Sequence, residues 1–313
     1  MKVANNLLDL IGSTPMVRLN KVVDDCEATI LVKLEYYNPS GSVKDRIALY
    51  MLEEAERRGE LNPGCMIVEP TSGNTGMALS FVCAVKGYRM IVVMPEAMSI
   101  ERRQIMQAFG AEVVLTPCKR GGKPGSFTKE DIEATVEKAK EIARERDCFL
   151  PNQFENPDNP KAHRETTGKE ILEQTDGQVD AFVAGVGTGG TAVGVAQALK
   201  EYNDQIWVAY VEPATSAVLS GDKPGYHRIQ GIGEGFIPEV VDMSYCDEVI
   251  AVDDEEAIEM ARRLAREEGI LCGISSGANV VAALWVGRRL GEGKTVVTLI
   301  PDTGMKYLSM NIF

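Results

Sequence analysis

The chain has 313 residues, 44% of them hydrophobic, which is enough for two packed cores. Its formal net charge is −13 and its lysines and arginines are not clustered, so we expect no nucleic-acid partner. Seven cysteines without a C-x-x-C pair favour buried reduced thiols over disulfides or a zinc site, and no other metal-binding set stands out. Residues 1–10 have neither a basic start nor a long apolar run, so we expect no signal peptide, no membrane span and a cytoplasmic location.

Short apolar runs alternate with longer amphipathic segments along the chain. Strands are predicted at residues 30–34, 66–68, 89–94, 112–115, 181–184, 206–211, 248–252 and 295–300. Helices are predicted at residues 42–58, 75–86, 100–109, 129–146, 191–200, 255–268 and 276–289. This alternation predicts an α/β fold with mostly parallel sheets covered by helices. The likeliest crossover between two domains lies near residues 149–152, before a proline-rich stretch.

Lys44 lies near the predicted start of a helix, two residues after Ser42, which is a suitable cap. The helix dipole disfavours a cation there and would help to keep the lysine amine neutral, as a nucleophile or base requires. Taken alone, the Ser42-x-Lys44 triplet is better explained as the solvated first turn of a helix. Three segments later in the chain favour a catalytic lysine instead.

Residues 185–191 follow an apolar strand and open a helix, so their backbone N–H groups would form a cradle for an anion. The phosphate-binding residues predicted here are Gly187, Thr188, Gly189, Gly190 and Thr191. The segment also fits the pattern G-x-G-x-x-G, and Glu212 follows about 20 residues later, as in nicotinamide dinucleotide enzymes. That alternative gives no task to Lys44.

Two further strand-to-helix turns carry polar groups. Residues 71–75 combine hydroxyl and amide donors with Gly73, which lets the backbone approach a ligand and suits an α-carboxylate. Ser275 follows an apolar run that would form a strand, so its hydroxyl would lie at the carboxyl end of that strand, where ligand sites of α/β proteins form. The alternatives are that Ser276 is the ligand partner, or that both turns only cap helices.

Residues 38–46, 71–76, 185–191 and 273–278, in this order, resemble the fold-type II pyridoxal phosphate (PLP) enzymes. The resemblance is closest to the cysteine synthase (O-acetylserine sulfhydrylase) and cystathionine β-synthase family. It covers nearly the whole chain, from the Ile-Gly-Ser-Thr-Pro run at residue 11 to the Pro-Asp-Thr-Gly run at residue 301.

The resemblance implies two three-layer α/β domains with PLP in the cleft between them. A small, mobile N-terminal domain would comprise residues 40–150, and a large C-terminal domain would comprise residues 1–39 and 151–313. A homodimer is also implied, with a serine acetyltransferase as a further partner.

The resemblance also implies the role of each site residue. PLP would be attached to Lys44, with its phosphate on the 187–191 loop, its phenolic oxygen beside Asn74 and its pyridine nitrogen beside Ser275. The residues implied for substrate binding are Thr71, Ser72, Gly73, Thr75, Gln153, Gly231 and Glu234.

The implied reaction is β-replacement, which makes L-cysteine from O-acetyl-L-serine and sulfide. Two alternatives within the same chemistry are a cystathionine β-synthase-type reaction and an O-phosphoserine-dependent reaction, for which Arg228 or the basic residues Lys119 and Arg120 could bind the phosphate. An alternative of another class is a PLP-binding regulator of serine acetyltransferase. His163 and His227 lack suitable neighbours, and neither is predicted to be catalytic.

Two segments depart from the family pattern. Residues 118–131 are longer and more basic than the expected turn, and Glu234 stands where a small apolar residue is usual. The Glu234 carboxylate would either face the second substrate or be turned to solvent by the flanking Gly233 and Gly235.

Overall fold

The computed structural model describes residues 3–71, 73–118, 128–310 and 312–313. The strands in these residues are β1 (Met16–Arg18), β2 (Thr29–Leu34), β3 (Met66–Pro70), β4 (Arg89–Pro95), β5 (Glu112–Thr116), β6 (Ala181–Gly185), β7 (Trp207–Pro213), β8 (Glu248–Val252) and β9 (Thr295–Ile300). The α-helices are α1 (Lys44–Arg58), α2 (Asn74–Lys86), α3 (Ile100–Ala108), α4 (Lys129–Arg146), α5 (Asp158–His163), α6 (Lys169–Gln174), α7 (Gly190–Tyr202), α8 (Asp254–Arg263) and α9 (Ile274–Leu290). In this described part of the chain, every helix is too short or too polar to cross a membrane.

The strands form two sheets. The larger has the order β1-β2-β9-β6-β7-β8 and is parallel except for β1, which runs antiparallel to β2. The smaller has the order β3-β4-β5 and is entirely parallel. The predicted α/β class with mostly parallel sheets is confirmed. The smaller sheet lies within residues 40–150, while the division of the chain into a small and a large domain stays a prediction.

Each sheet has apolar residues packed on both faces. One large cluster joins β2, β6, β7 and β8 to α8 and α9, and a second packs α7 against the opposite face. Around the smaller sheet, α1 and α2 cover one face and α4 the other. Burial on both faces explains why the strands read as continuous apolar runs rather than as alternating ones.

The sequence prediction missed β1 and the helical segment from α5 to α6. Residues 156–160 contain two prolines, yet α5 begins at Asp158 with Pro160 in its first turn. Proline is tolerated there because the first N–H groups of a helix have no partner within the helix. A single π-helical turn, Arg164–Gly168, then continues into α6.

The carboxyl ends of three strands face one cleft. β3 ends at Pro70, β6 at Gly185 and β9 at Ile300, and the residues just beyond these ends line the cleft. Ligand sites of open parallel sheets form at these ends, because helix N-termini and loops converge there.

Candidate active site

The cleft contains about 860 Å³ of space, part of which is open to solvent. It brings together most of the predicted site residues, namely Lys44, Thr71, Asn74, Thr75, Gln153, Gly187, Thr188, Gly189, Thr191, Gly231, Glu234 and Ser275. Gly73 and Gly190 belong to the same turns without lining the cleft, and Ser72 lies outside the described residues.

Lys44 is the first residue of α1, and its side chain projects into the cleft. The N-cap position is Val43 rather than Ser42, but the Ser42 hydroxyl still accepts the Lys44 N–H at 3.3 Å. Burial lowers the pKa of the Lys44 amine, while the carboxylates of Glu234 and Asp302 act in the opposite direction. Burial therefore favours the neutral amine, which is the reactive form.

The glycine-rich loop at residues 187–190 is packed so closely against neighbouring residues that Gly187 and Gly190 have no room for a side chain. A Cβ atom on Gly187 would lie 2.3 Å from the Gly231 carbonyl oxygen, and one on Gly190 would lie 1.8 Å from Oδ1 of Asn159. Gly189, the residue before α7, has a φ of 90°, which strongly favours glycine. Four residues of the loop, Gly187, Thr188, Gly189 and Thr191, line the cleft, so an anion there can approach the N-terminus of this 13-residue helix.

Two buried residues that the sequence analysis did not assign support this loop. Asn159 donates to the Thr188 hydroxyl at 3.0 Å, and Nε2 of His163 lies 3.1 Å from the Thr191 hydroxyl. The other ring nitrogen of His163 lies 2.9 Å from the Thr167 hydroxyl. Burial and nearby positive charges hold the pKa of His163 well below its usual value, so the ring is neutral. The neutral ring of His163 therefore holds the Thr191 hydroxyl in place, and both of its nitrogens are used by threonine hydroxyls.

Residues 71 and 73–75 carry hydrogen-bonding groups at the start of α2. The Thr71 hydroxyl accepts the Gly73 N–H at 3.0 Å, and the Thr75 hydroxyl donates to Oε1 of Gln153 at 2.6 Å. Arg102 is buried against Gly73, where an added Cβ would lie 2.8 Å from it. The arginine also lines the cleft and brings a positive charge that the sequence analysis did not assign.

Ser275 is the second residue of α9 and lines the cleft. Asn279, one turn further along, accepts the Gly185 N–H at 2.8 Å and donates to the Leu299 carbonyl at 3.0 Å. These bonds fix α9 to β6 and β9. Ser276 is fully buried and does not line the cleft, which favours Ser275 over its neighbour as the ligand partner.

Glu234 lies in the cleft rather than in solvent. Its flanking glycines do have positive φ angles, 71° and 82°, but the carboxyl group lines the same cavity as Lys44. Burial raises the pKa of Glu234, and the charges of Lys44 and Arg102 oppose that rise.

The candidates for phosphoserine recognition are not brought to the cleft. Arg228 forms an exposed ion pair with Glu255 at 2.5 Å and is not among the residues that line the cavity. Lys119 and Arg120 lie outside the described residues.

A protein-family model described as pyridoxal-phosphate dependent enzyme matches residues 7–302. The chain belongs to this family. A cysteine synthase of Staphylococcus aureus strain N315 is 52% identical over 313 residues, which cover 100% of this chain and 98% of the relative.

Solved structures give the same result. Cysteine synthase (OASS) from Entamoeba histolytica superposes with a TM-score of 0.92 at 44% identity, covering 100% of this chain and 91% of that one. A hydrogen sulfide-producing enzyme from Fusobacterium nucleatum has a TM-score of 0.91 at 45% identity, covering 98% and 99% of the two chains.

The residues of the cleft fit the cofactor of this family. Gly187, Thr188, Gly189 and Thr191 line the cleft at the start of α7, so a phosphate group in the cleft can reach the N–H groups of this loop. Lys44 supplies a buried amine in the same cavity. The chain is a PLP-dependent enzyme, and the nicotinamide interpretation of residues 185–191 is wrong.

Proposed function

We propose that the enzyme catalyses β-replacement and makes L-cysteine from O-acetyl-L-serine and sulfide. The observation that carries this proposal is that Lys44 lines one cleft together with the glycine-rich loop and a second turn of polar residues. Similar proteins named cysteine synthases, aligned over the full chain, support the choice of substrates.

In this proposal residues 187–191 would hold the PLP phosphate through their N–H groups and hydroxyls, Asn74 would contact the phenolic oxygen and Ser275 would contact the pyridine nitrogen. When bound, PLP withdraws electrons from the α-carbon of an attached amino acid. Ser275 is neutral and cannot hold the pyridine nitrogen protonated as an aspartate would, which favours loss of a β-substituent over transamination.

The turn at residues 71–75, with Gln153, orients the substrate carboxylate through N–H and hydroxyl donors. Thr75 is already fixed by its bond to Gln153, so little ordering is needed on binding. Lys44 then removes the α-proton, acetate leaves the β-carbon, hydrosulfide bonds to that carbon, and Lys44 returns a proton to the α-carbon. Burial of the Lys44 amine keeps it in the form that accepts a proton.

A second candidate function is β-replacement with an amino-acid thiol, as in cystathionine β-synthase-type enzymes. The observation that favours it is Glu234, whose carboxyl group lies in the cleft with Lys44. A carboxylate there repels the hydrosulfide anion but pairs with the ammonium group of homocysteine or cysteine. Arg228, which the sequence offered for the O-phosphoserine alternative, does not line the cleft and gives that alternative no support.

Steady-state assays with O-acetylserine, O-phosphoserine and serine, each paired with sulfide and with homocysteine, test the proposal. We expect O-acetylserine with sulfide to give the highest kcat/KM. Turnover with none of these pairs would refute the proposal and would favour the regulator of serine acetyltransferase.

Glu234→Ala tests the nucleophile range separately. We expect the first half-reaction, loss of acetate from O-acetylserine, to be nearly unchanged. If Glu234 binds the ammonium of a thiol, kcat/KM for homocysteine falls about tenfold, as for loss of one charged hydrogen bond, while the rate with sulfide is not reduced. Glu239→Ala is the matched control, because Glu239 is exposed on the same segment. Equal effects on kcat/KM for every nucleophile would show that Glu234 does not select the nucleophile.

We further propose a cytoplasmic homodimer in which residues 40–150 form the smaller domain and serine acetyltransferase is a binding partner. Light scattering and gel filtration of the purified enzyme, with and without the acetyltransferase, test the assembly. A monomer, or no shift with the partner, would contradict these parts of the proposal alone.

A further inference from the structure

The segment at residues 301–307 is hydrogen-bonded to the chain just before α1 and just before α9, the two helices that carry Lys44 and Ser275. The Val43 N–H, immediately before α1, donates to the Pro301 carbonyl at 2.8 Å. The Gly273 N–H, immediately before α9, donates to the Asp302 carbonyl at 3.2 Å. One short stretch near the C-terminus is therefore bonded to the chain on both sides of the candidate cofactor site.

The same segment holds the amide of Asn74 between two opposite charges. Nδ2 of Asn74 donates to Oδ2 of Asp302 at 2.8 Å, and Nζ of Lys306 donates to Oδ1 of Asn74 at 2.9 Å. Tyr307 adds a second donor to the same aspartate oxygen at 2.7 Å. Asp302 and Lys306 are 1% and 4% exposed, so both charged groups are almost completely removed from water.

These partners leave only one orientation for the Asn74 amide. An ammonium group can only donate, and an ionised carboxylate can only accept. A flipped amide would set its NH₂ group against Lys306 and its carbonyl against Asp302, which loses both bonds in a buried environment. The assignment of nitrogen and oxygen, usually ambiguous for asparagine, is fixed here by the two neighbours.

The Nδ2 group has two hydrogens, and Asp302 accepts one of them. Asn74 lines the cleft, so the second hydrogen is available to a ligand. We propose that Asp302 and Lys306 are positioning residues that keep an N–H of Asn74 directed at the phenolic oxygen of PLP. This inference rests on the proposed function, in which Asn74 meets that oxygen.

The orientation has a spectroscopic consequence. An N–H donor stabilises the phenolic oxygen as an anion, whereas the carbonyl of a flipped amide would stabilise the protonated oxygen. PLP attached to a lysine absorbs in the visible when this oxygen is anionic and in the near ultraviolet when it is protonated. The ratio of the two bands therefore reports the orientation of the Asn74 amide without any turnover.

The test compares Lys306→Met and Lys306→Arg with the wild-type holoenzyme at one pH. We expect the visible-to-ultraviolet ratio to fall about tenfold or more in Lys306→Met, as for loss of a hydrogen bond to a charged group. Lys306→Arg keeps a cationic donor and should stay within about twofold of the wild type. A ratio that does not change in Lys306→Met overturns the proposal.

A double-mutant cycle separates positioning from a general structural effect. In an Asn74→Ala background, Lys306→Met should cause no further fall in the ratio, because the group on which it acts has gone. An equal fall with and without Asn74 would show that Lys306 acts on the cofactor by another route, and would overturn the proposal.

Two more measurements distinguish an error in this inference from an error in the proposed function. Borohydride reduction and peptide mapping must first place PLP on Lys44 of the wild type, and a different site would refute the proposed function itself. If Lys306→Met does not fold or bind PLP, Asp302→Asn provides the test, since it removes the fixed acceptor with little change in shape. An unchanged band ratio in Asp302→Asn would then overturn the inference.

Discussion

Arg46, two residues beyond Lys44, forms a buried ion pair with Glu35. We expect mutation of this pair to lower the stability of the protein more than mutation of any other contact near the site. Nε of Arg46 lies 2.7 Å from Oε2 of Glu35, and Nη2 lies 2.8 Å from Oε1. The Thr14 hydroxyl and the Asn38 amide donate to the same two oxygens at 2.7 and 2.9 Å. The carboxylate thus accepts four bonds, and its side chain is 0% exposed.

Glu35→Gln keeps the shape but replaces one acceptor oxygen with a donor NH₂ group. The new NH₂ group then faces two hydrogen-bond donors, so two of the four bonds are lost. Arg46 also loses one of its two carboxylate partners. Breaking a buried ion pair costs about 3–5 kcal/mol. Because Glu170 still contacts Arg46 at 2.6 Å, we expect the lower end, about 3 kcal/mol of the free energy of unfolding.

Urea unfolding of the holoenzyme at fixed PLP concentration measures this loss as a lower midpoint. Glu201→Gln is the matched control, since Arg164 and Glu201 are 2.6 Å apart, a similar distance, but their side chains are 41% and 57% exposed. An exposed pair contributes at most about 1 kcal/mol. If Glu35→Gln costs no more than Glu201→Gln, burial does not govern this contact and the reasoning fails.

Two further predictions concern Lys44 and the buried Glu69. Borohydride reduction should label Lys44, and Lys44→Ala should retain some affinity for PLP through the phosphate loop but lose exchange of the substrate α-proton; a label on another lysine would contradict both. Glu69 accepts the N–H groups of Asn152 and Gln153 at 2.8 and 3.0 Å, and burial raises its pKa to about 7. The folded chain therefore binds a proton there that the unfolded chain releases, so stability falls by up to about 3 kcal/mol between about pH 4.5 and pH 7. Glu69→Gln should flatten this fall in urea unfolding at several pH values, and an unchanged slope would count against the assignment.

The sequence by itself determined the fold class and the turns that carry the site. Alternation of apolar runs with helical segments gave eight of the strands, because strands buried on both faces leave a continuous apolar signal. The turn at residues 187–191 was readable because glycines at the start of a helix expose backbone N–H groups wherever they occur. Such features depend on neighbours along the chain.

Only the tertiary structure decided which way the polar side chains point and what they meet. Asn74 and Asp302 are 228 residues apart, and no periodicity in either segment links them. Glu234 lies between glycines that would permit either direction, and its place in the cleft depends on packing around it. The Glu35 and Arg46 pair likewise forms only when α1 packs beside the residues that follow β2. A local pattern reports backbone geometry, whereas the partners of a buried charge are set by elements brought together from distant parts of the chain.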